Sequence, residues 1–199
     1  MLGLILGGIF MLFSVLLGIA VTSLLRIIFT FEERICFSII VGHTFSAIIV
    51  YLFSYLHGSL DFFTIGIGFL LITVITLTIM IRKRVVIKGS ISFNMERVFV
   101  IFFGLIAFIS LNIQCVLKEI SGSLYGSCFV IGDYCFHISV INSFALRNNF
   151  PPKYPVMINV LMAYPPLVDF LSSILIKTGF DLRSSIIIPN MLLQVSIYA

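Results

Sequence analysis

Charged side chains are scarce in this sequence. Only 10% of the 199 residues are Asp, Glu, Lys or Arg, whereas 60% are hydrophobic, and the mean hydropathy is +1.22. A soluble domain carries about 25% charged residues, so this chain has too few to cover a surface that faces water. The composition therefore excludes an ordinary soluble domain and predicts an integral membrane protein.

Recognisable catalytic and ligand-binding motifs are also absent. The sequence contains no P-loop, HExxH, GxSxG, zinc-ligand spacing or EF-hand loop, and its four cysteines form no CxxC pair. The net charge of +4 does not form a nucleic-acid-binding patch, because five of the twelve basic residues lie within residues 82–97, between two apolar runs. That placement is typical of a cytoplasmic loop, and we expect no nucleic-acid partner.

Four apolar runs are each long enough to cross a bilayer. The hydrocarbon core is about 30 Å thick and needs roughly 20 apolar residues in a helix. Helices are expected because every backbone polar group in lipid must be hydrogen-bonded within its own segment. The runs are residues 2–25, 35–56, 62–81 and 98–116. We therefore predict an all-α, polytopic transmembrane protein whose residues 1–117 form a four-helix transmembrane region.

The loops between these runs predict the topology. Basic residues occur in residues 26–34 and 82–97 but not in residues 57–61, which places the first and third loops in the cytoplasm. No basic residue precedes the first apolar run, so we expect a retained span there rather than a cleaved signal peptide. The N-terminus and the loop of residues 118–185 are therefore predicted to lie outside a cell membrane that the chain crosses several times.

The loop of residues 118–185 contains two short helical patterns and no run long enough to span. The first covers about residues 134–146, and the second starts at Pro165-Pro166 and ends near Thr178. At about 13 residues and 1.5 Å per residue, each helix would be only about 20 Å long. We therefore expect both helices to lie at the membrane interface in contact with membrane lipid.

Two further features of the sequence concern its last residues and its cysteines. Residues 186–199 form an apolar run of only 14 residues that has no flanking charge. We interpret this run as the start of a fifth transmembrane helix that is truncated, and the chain as the N-terminal part of a larger protein. Cys128 and Cys135 lie in the predicted outside loop and would either form a disulfide or stay free, since spacing alone does not decide between the two.

Asp133 and His137 are the first candidates for chemistry in the loop. They are four residues apart, so they share one face of a helix. A carboxylate there can coordinate a divalent cation or accept a proton from a hydroxyl group, and the imidazole can bind phosphate or orient the acid. An aspartate at the start of a helix is also a common capping residue. Both interpretations of Asp133 remain open at this point.

A longer series of polar, aromatic and proline residues extends from Asp133 through the loop. In chain order the series is Gly132-Asp133, His137, Asn142-Ser143-Phe144-Ala145, Asn149, Pro151-Pro152, Pro155, Tyr164, Asp169 and Gly179-Phe180-Asp181-Leu182. It resembles the first large outside loop of polytopic GT-C-type glycosyltransferases, and in particular an uncharacterised prokaryotic subgroup of membrane proteins. The resemblance covers residues 132–182, about a quarter of the chain, and the four upstream runs agree with that family only in topology.

The resemblance implies an activity and a set of site residues. Such enzymes transfer a sugar from a polyprenyl-phosphate donor to an acceptor on the outer face of the membrane. An aspartate early in the first outside loop serves as the general base or as a metal ligand, and this role would fall on Asp133, with Mg or Mn as the divalent cation. The resemblance also implies that the substrate is bound by His137, Asn149, Tyr164 and Asp169.

Two observations limit what the resemblance implies. The subgroup tends to have Tyr-His before the second helix, whereas this chain has Tyr164-Pro165. The second acidic motif of such enzymes lies on a later outside loop, so we expect an incomplete active site within these 199 residues.

The alternative is a non-catalytic polytopic membrane protein, such as a transporter subunit or an assembly factor, in which Asp133 only caps a helix. A transporter should carry charged residues near the centres of its spans, and here only His43 is ionisable there.

Overall fold

The computed structural model describes residues 2–25, 29–83, 95–126 and 131–198, and these residues are mostly helical. Within those ranges the helices are α1 (Leu2–Thr22), α2 (Phe31–His57), α3 (Phe62–Lys83), α4 (Met95–Leu111), α5 (Ile131–Arg147), α6 (Leu167–Thr178) and α7 (Leu182–Tyr198). A π-helical turn (Asn112–Val116) and two strands, β1 (Leu117–Ile120) and β2 (Ser123–Gly126), separate α4 from α5.

The three helices α1, α2 and α3 are long and apolar enough to cross a membrane. They coincide with the first three predicted spans. The apolar part of α4 is shorter, Phe99–Gln114, and the α-helix gives way to the π-helical turn at Asn112. The structure therefore supports a membrane-embedded protein with three spanning helices and one shorter apolar helix, and the predicted fourth full span remains a prediction.

Small residues bring α1 and α2 into backbone contact. A Cβ atom on Gly18 would overlap the carbonyl oxygen of Ser38, and one on Gly42 would overlap the carbonyl oxygen of Ser14. The hydroxyl groups of Thr22 and Ser38 are 3.0 Å apart and form a hydrogen bond across the same contact. Lipid tails are as apolar as leucine, so helices in a membrane associate through this kind of close packing and interhelical hydrogen bonding.

Close backbone contact also joins the start of α1 to the end of α6. Gly179 ends α6 in a left-handed conformation, with φ of 108°. A Cβ atom on Gly3 would lie 2.8 Å from the Cα atom of Gly179, so neither position has room for a side chain. The N-terminal end of α1 is thereby fixed against the segment that follows α6.

An aromatic cluster attaches α5 and α6 to α2. Tyr51 of α2 contacts Phe170 of α6, with ring centroids 5.2 Å apart, and Phe150, which follows α5, at 6.0 Å. Phe144 of α5 stacks edge-on against Phe170 at 5.3 Å, and both of these side chains are fully buried. The two short helices predicted from the sequence are therefore present, and they pack on the second half of α2.

A short β-hairpin corrects the expectation of an all-α chain. Strands β1 and β2 are antiparallel and pair Leu117 with Gly126 and Ile120 with Ser123. Their connecting residues, Ser121 and Gly122, have positive φ values of 51° and 80°. Positive φ at both central residues is the backbone of the tight turns that join twisted strands. The pattern of apolar runs does not indicate this hairpin, because each strand has only four residues and mixes apolar with polar side chains.

The last helix begins earlier than the apolar run by which it was predicted. The carboxylate of Asp181 accepts hydrogen bonds from the backbone N–H of Ser184 at 2.8 Å and from its hydroxyl at 2.7 Å. The first of these bonds satisfies a backbone N–H group that has no partner within the helix. The helix α7 therefore begins at Leu182 rather than at residue 186. Pro189 lies within the helix.

The contact between α1 and α2 yields a matched prediction. We expect Gly18→Ala to destabilise the protein by about 1–3 kcal/mol, because the added methyl group has no space beside Ser38. Gly8→Ala, in the same helix, has no neighbouring atom within 4 Å and should be neutral or stabilising by up to about 1 kcal/mol. Thermal unfolding in detergent, followed by circular dichroism, measures both effects, and equal melting temperatures for the two variants would contradict this packing.

Candidate functional site

A cavity of about 340 Å³ lies between α5, α6 and α7. Four of the five site residues predicted from the sequence line it, namely Asp133, His137, Tyr164 and Asp169. Asp133 and His137 are one turn apart on α5, Asp169 lies in the first turn of α6, and Tyr164 precedes that helix. The fold thus brings together residues that are more than 30 positions apart in the chain.

A hydrogen bond between helices sets the distance from α5 to α6. The fully buried hydroxyl of Ser173 on α6 lies 3.0 Å from the carbonyl oxygen of Ile141 on α5 and 2.8 Å from that of Asp169 on its own helix, and its one proton is shared between these two acceptors. Ser173 lies one turn after Asp169, and Ile141 lies one turn after His137. The same one-turn spacing on both helices places the imidazole of His137 opposite the carboxylate of Asp169.

His137 and Asp169 form the central pair of the cavity. The Nδ1 atom of His137 lies 2.9 Å from Oδ1 and 3.0 Å from Oδ2 of Asp169. The Asp169 side chain is only 7% exposed, whereas that of His137 is 34% exposed. Because a carboxylate only accepts hydrogen bonds, Nδ1 carries the proton, and Nε2 of a neutral ring is left as an acceptor. No described residue hydrogen-bonds Nε2, so this atom is available to a ligand.

The pKa values of Asp169 and Tyr164 are both raised. Burial raises the pKa of Asp169, and the hydrogen bond from His137 opposes this shift. Burial also raises the pKa of Tyr164, and the negative charges of Asp169 and Asp133 raise it further. The phenol of Tyr164 is therefore a neutral hydrogen-bond donor at physiological pH, close to both carboxylates.

Asp133 is exposed and differs in this respect from Asp169. It is the third residue of α5, inside the first turn. A negative charge in this position interacts favourably with the helix dipole. No described residue donates a hydrogen bond to its carboxylate, which leaves its oxygen atoms accessible on one side of the cavity. Its location is compatible with a chemical role and with stabilisation of the helix start.

The structure places Asn149, the fifth predicted site residue, outside this cavity. Its side-chain N–H groups donate to the hydroxyl of Ser143 at 3.1 Å and to the carbonyl oxygen of Lys153 at 2.7 Å. Its side-chain oxygen accepts from the backbone N–H of Lys153 at 3.0 Å. The carboxamide therefore stabilises the loop after α5, and it lines a separate cavity of about 320 Å³ together with Arg147 and Lys153.

Three residues with polar side-chain groups, Tyr134, Ser172 and Asn190, line the main cavity and were not among the predicted site residues. Ser172 lies three residues after Asp169 on the same polar stripe of α6, and this spacing was a usable signal. Asn190 comes from α7, directly after Pro189 in the apolar run. An isolated amide within such a run is a weak signal, and only the packing of α7 against α5 and α6 reveals its location.

A metal site is not formed by the described residues alone. Among them, no three His, Cys, Asp or Glu side chains are close enough together to hold a metal ion. Asp133 and Asp169 are the carboxylates of the main cavity, and both oxygen atoms of Asp169 already lie within hydrogen-bonding distance of His137 Nδ1. The divalent cation therefore remains a prediction. Cys135 is exposed, and the choice between a disulfide with Cys128 and a free thiol concerns a residue, Cys128, that lies outside the described residues.

The hydrogen bond from His137 to Asp169 predicts the tautomer of the imidazole. In Asp169→Asn the amide N–H can donate a hydrogen bond to Nδ1, which favours the tautomer with its proton on Nε2. We therefore expect the ¹⁵N resonances of the His137 ring to change tautomer in this variant. Asp61→Asn is the matched control, because Asp61 lies 3.4 Å from His57 in an exposed pair. An unchanged His137 spectrum in Asp169→Asn would contradict the hydrogen bond described here.

The sequence alone predicts all four residues that converge on this cavity, which makes it the main candidate for a functional site. Comparison of the chain with protein-family models, with curated proteins and with solved structures gives no match.

Proposed function

We propose that this protein is a membrane glycosyltransferase, or the N-terminal portion of one, that uses a polyprenyl-phosphate sugar donor on the outer face of the membrane. The observation that supports this proposal is the convergence of Asp133, His137, Tyr164 and Asp169 on one cavity. These residues belong to the series that resembles the first outside loop of GT-C-type enzymes. Their convergence is the arrangement that such a site requires.

The chemistry of the cavity fits a sugar better than a phosphate. Asp133 and Asp169 contribute two carboxylates, and no Lys or Arg is among the described residues that line the cavity. Two carboxylates repel a phosphate but accept hydrogen bonds from sugar hydroxyl groups. Nε2 of His137 accepts and the phenol of Tyr164 donates, which adds both kinds of hydrogen bond. The volume of about 340 Å³ is within the range of small-molecule sites, about 300–1,000 Å³.

In the proposed reaction, Asp133 acts as the general base. The acceptor hydroxyl loses its proton to the Asp133 carboxylate while its oxygen forms a bond to the anomeric carbon of the sugar. The bond from that carbon to the phosphate oxygen breaks, and polyprenyl phosphate leaves with the bonding electron pair. Buried Asp169 holds His137 in one orientation, so that the imidazole can bind a hydroxyl group of the sugar or of the acceptor.

The aromatic cluster that attaches α5 and α6 to α2 lies near the end of that helix, whereas Val168 at the start of α6 lines a small cavity with His43 and Ala47 near its middle. The aromatic cluster attaches α5 and α6 to Tyr51, six residues before the end of α2. At 1.5 Å per residue this is about 9 Å from the helix end. A polyprenyl-phosphate donor has its phosphate at the level of the lipid headgroups, close to the ends of the spanning helices.

Asp133→Asn tests the proposed role of Asp133 as a base. Asparagine has nearly the size of aspartate and loses only the interaction of its charge with the helix dipole, about 0.3–1 kcal/mol, but it cannot accept the proton. We expect the variant to insert into membranes normally and to lose activity by about 10²- to 10⁴-fold, the usual contribution of a general base. The measurement is the release of polyprenyl phosphate from a panel of polyprenyl-phosphate hexoses by membranes that contain the full-length protein.

Glu119→Gln provides the matched control, because Glu119 is an exposed carboxylate in β1 and does not line the cavity. Its activity should equal that of the unmodified protein. Full activity in Asp133→Asn would disprove the role of Asp133. Release of polyprenyl phosphate from none of the donors by the unmodified full-length protein would favour the alternative of a non-catalytic membrane protein.

A further inference from the structure

The loop between α5 and α6 exposes an unusual amount of apolar surface. We use the name apolar tip for Val156, Met157, Ile158, Val160 and Leu161. These side chains are between 45% and 93% exposed, and Ile158 is the most exposed. Adjacent apolar side chains displayed together on a loop indicate a surface that another apolar phase covers.

The apolar tip is held in a defined conformation by backbone hydrogen bonds. The N–H of Tyr154 donates to the carbonyl oxygen of Val160, and the N–H of Met162 donates to that of Pro152, both at 2.9 Å. Asn159 forms the turn, with a positive φ of 59°. The exposure of the tip is therefore built into a hydrogen-bonded loop.

The base of the loop lies near the level at which α2 leaves the hydrocarbon core. Phe150, at the start of the loop, packs against Tyr51 of α2 and Phe170 of α6. With 27 residues, α2 is about 40 Å long, which exceeds the hydrocarbon core of about 30 Å. Tyr51, about 9 Å from the helix end, lies where tyrosine side chains typically mark the membrane interface.

Positive charge accompanies the apolar tip. The ammonium group of Lys153 lies 3.3 Å from the side-chain oxygen of Asn159, beside the most exposed tip residues. Arg147 and Lys153 both line the cavity of about 320 Å³ at the base of the loop, and no acidic residue is among the described residues that line it. An apolar surface bordered by basic side chains is the pattern by which proteins bind the surface of a lipid leaflet.

We propose that the apolar tip inserts into the lipid leaflet at the His57 end of α2, with Lys153 and Arg147 facing the phosphate groups of the phospholipids. The occupant of this surface is the acyl region of the leaflet. The loop thereby anchors the end of α5 and the start of α6 to the bilayer. This inference rests on the exposure, location and charge of the loop and does not depend on the proposed transferase activity.

Depth-dependent quenching of a fluorophore tests the insertion. Ile158→Cys, in a background in which the native cysteines are replaced by serine, is labelled with bimane and reconstituted into phosphatidylcholine vesicles. We expect brominated phosphatidylcholine to quench this label and aqueous iodide to leave it unquenched. Leu70→Cys, 64% exposed on the spanning helix α3, is the lipid-facing reference. Glu119→Cys, on the exposed hairpin, is the water-facing reference.

Charge reversal tests the contribution of the basic side chains. Lys153→Glu, combined with Ile158→Cys, should lose part of the quenching by brominated lipid and gain quenching by iodide, because a carboxylate is repelled by the lipid phosphates. Lys118→Glu, an equivalent reversal on the hairpin, should leave both signals unchanged. Quenching of the Ile158→Cys label by iodide but not by lipid would overturn the inference, and so would protection from both quenchers, which would indicate a protein partner.

Discussion

The second helix, α2, has 27 residues and is about 10 Å longer than the hydrocarbon core of a bilayer. Other helices pack against its small residues and against its last turns. Gly42 and Ser38 admit the backbone of α1, and Ser54 hydrogen-bonds Thr64 of α3. Tyr51, near the end of the helix, packs against Phe144 of α5 and Phe170 of α6. The cavity therefore depends on α2, although no residue of α2 lines it among those described.

The sequence predicted the features that depend on local pattern. Runs of apolar residues located α1, α2 and α3, and the four-residue spacing of Asp133 and His137 correctly placed them one turn apart on one helix. The polar stripe of the second short helix contained both Asp169 and Ser172. These predictions succeeded because helical periodicity depends only on neighbouring residues.

Features that depend on packing could not be read from the sequence. The pair of His137 and Asp169 spans 32 positions and exists because Ser173 fixes α6 against the backbone of α5. Asn149 has the same residue type as a ligand-binding residue, but its neighbours use all of its hydrogen-bonding groups except one acceptor site. The two aspartates of the cavity also look alike in the sequence, and only burial distinguishes them.

The contact between Gly3 and Gly179 has a consequence for sidedness. Because α1 begins where α6 ends, the N-terminal end of α1 lies on the same side of the membrane as the turn between α6 and α7, whichever way the bundle is inserted. The two predicted locations, of the N-terminus and of residues 118–185, are therefore linked by the fold. Determining which compartment contains the first residues of the chain also determines which compartment the turn between α6 and α7 faces.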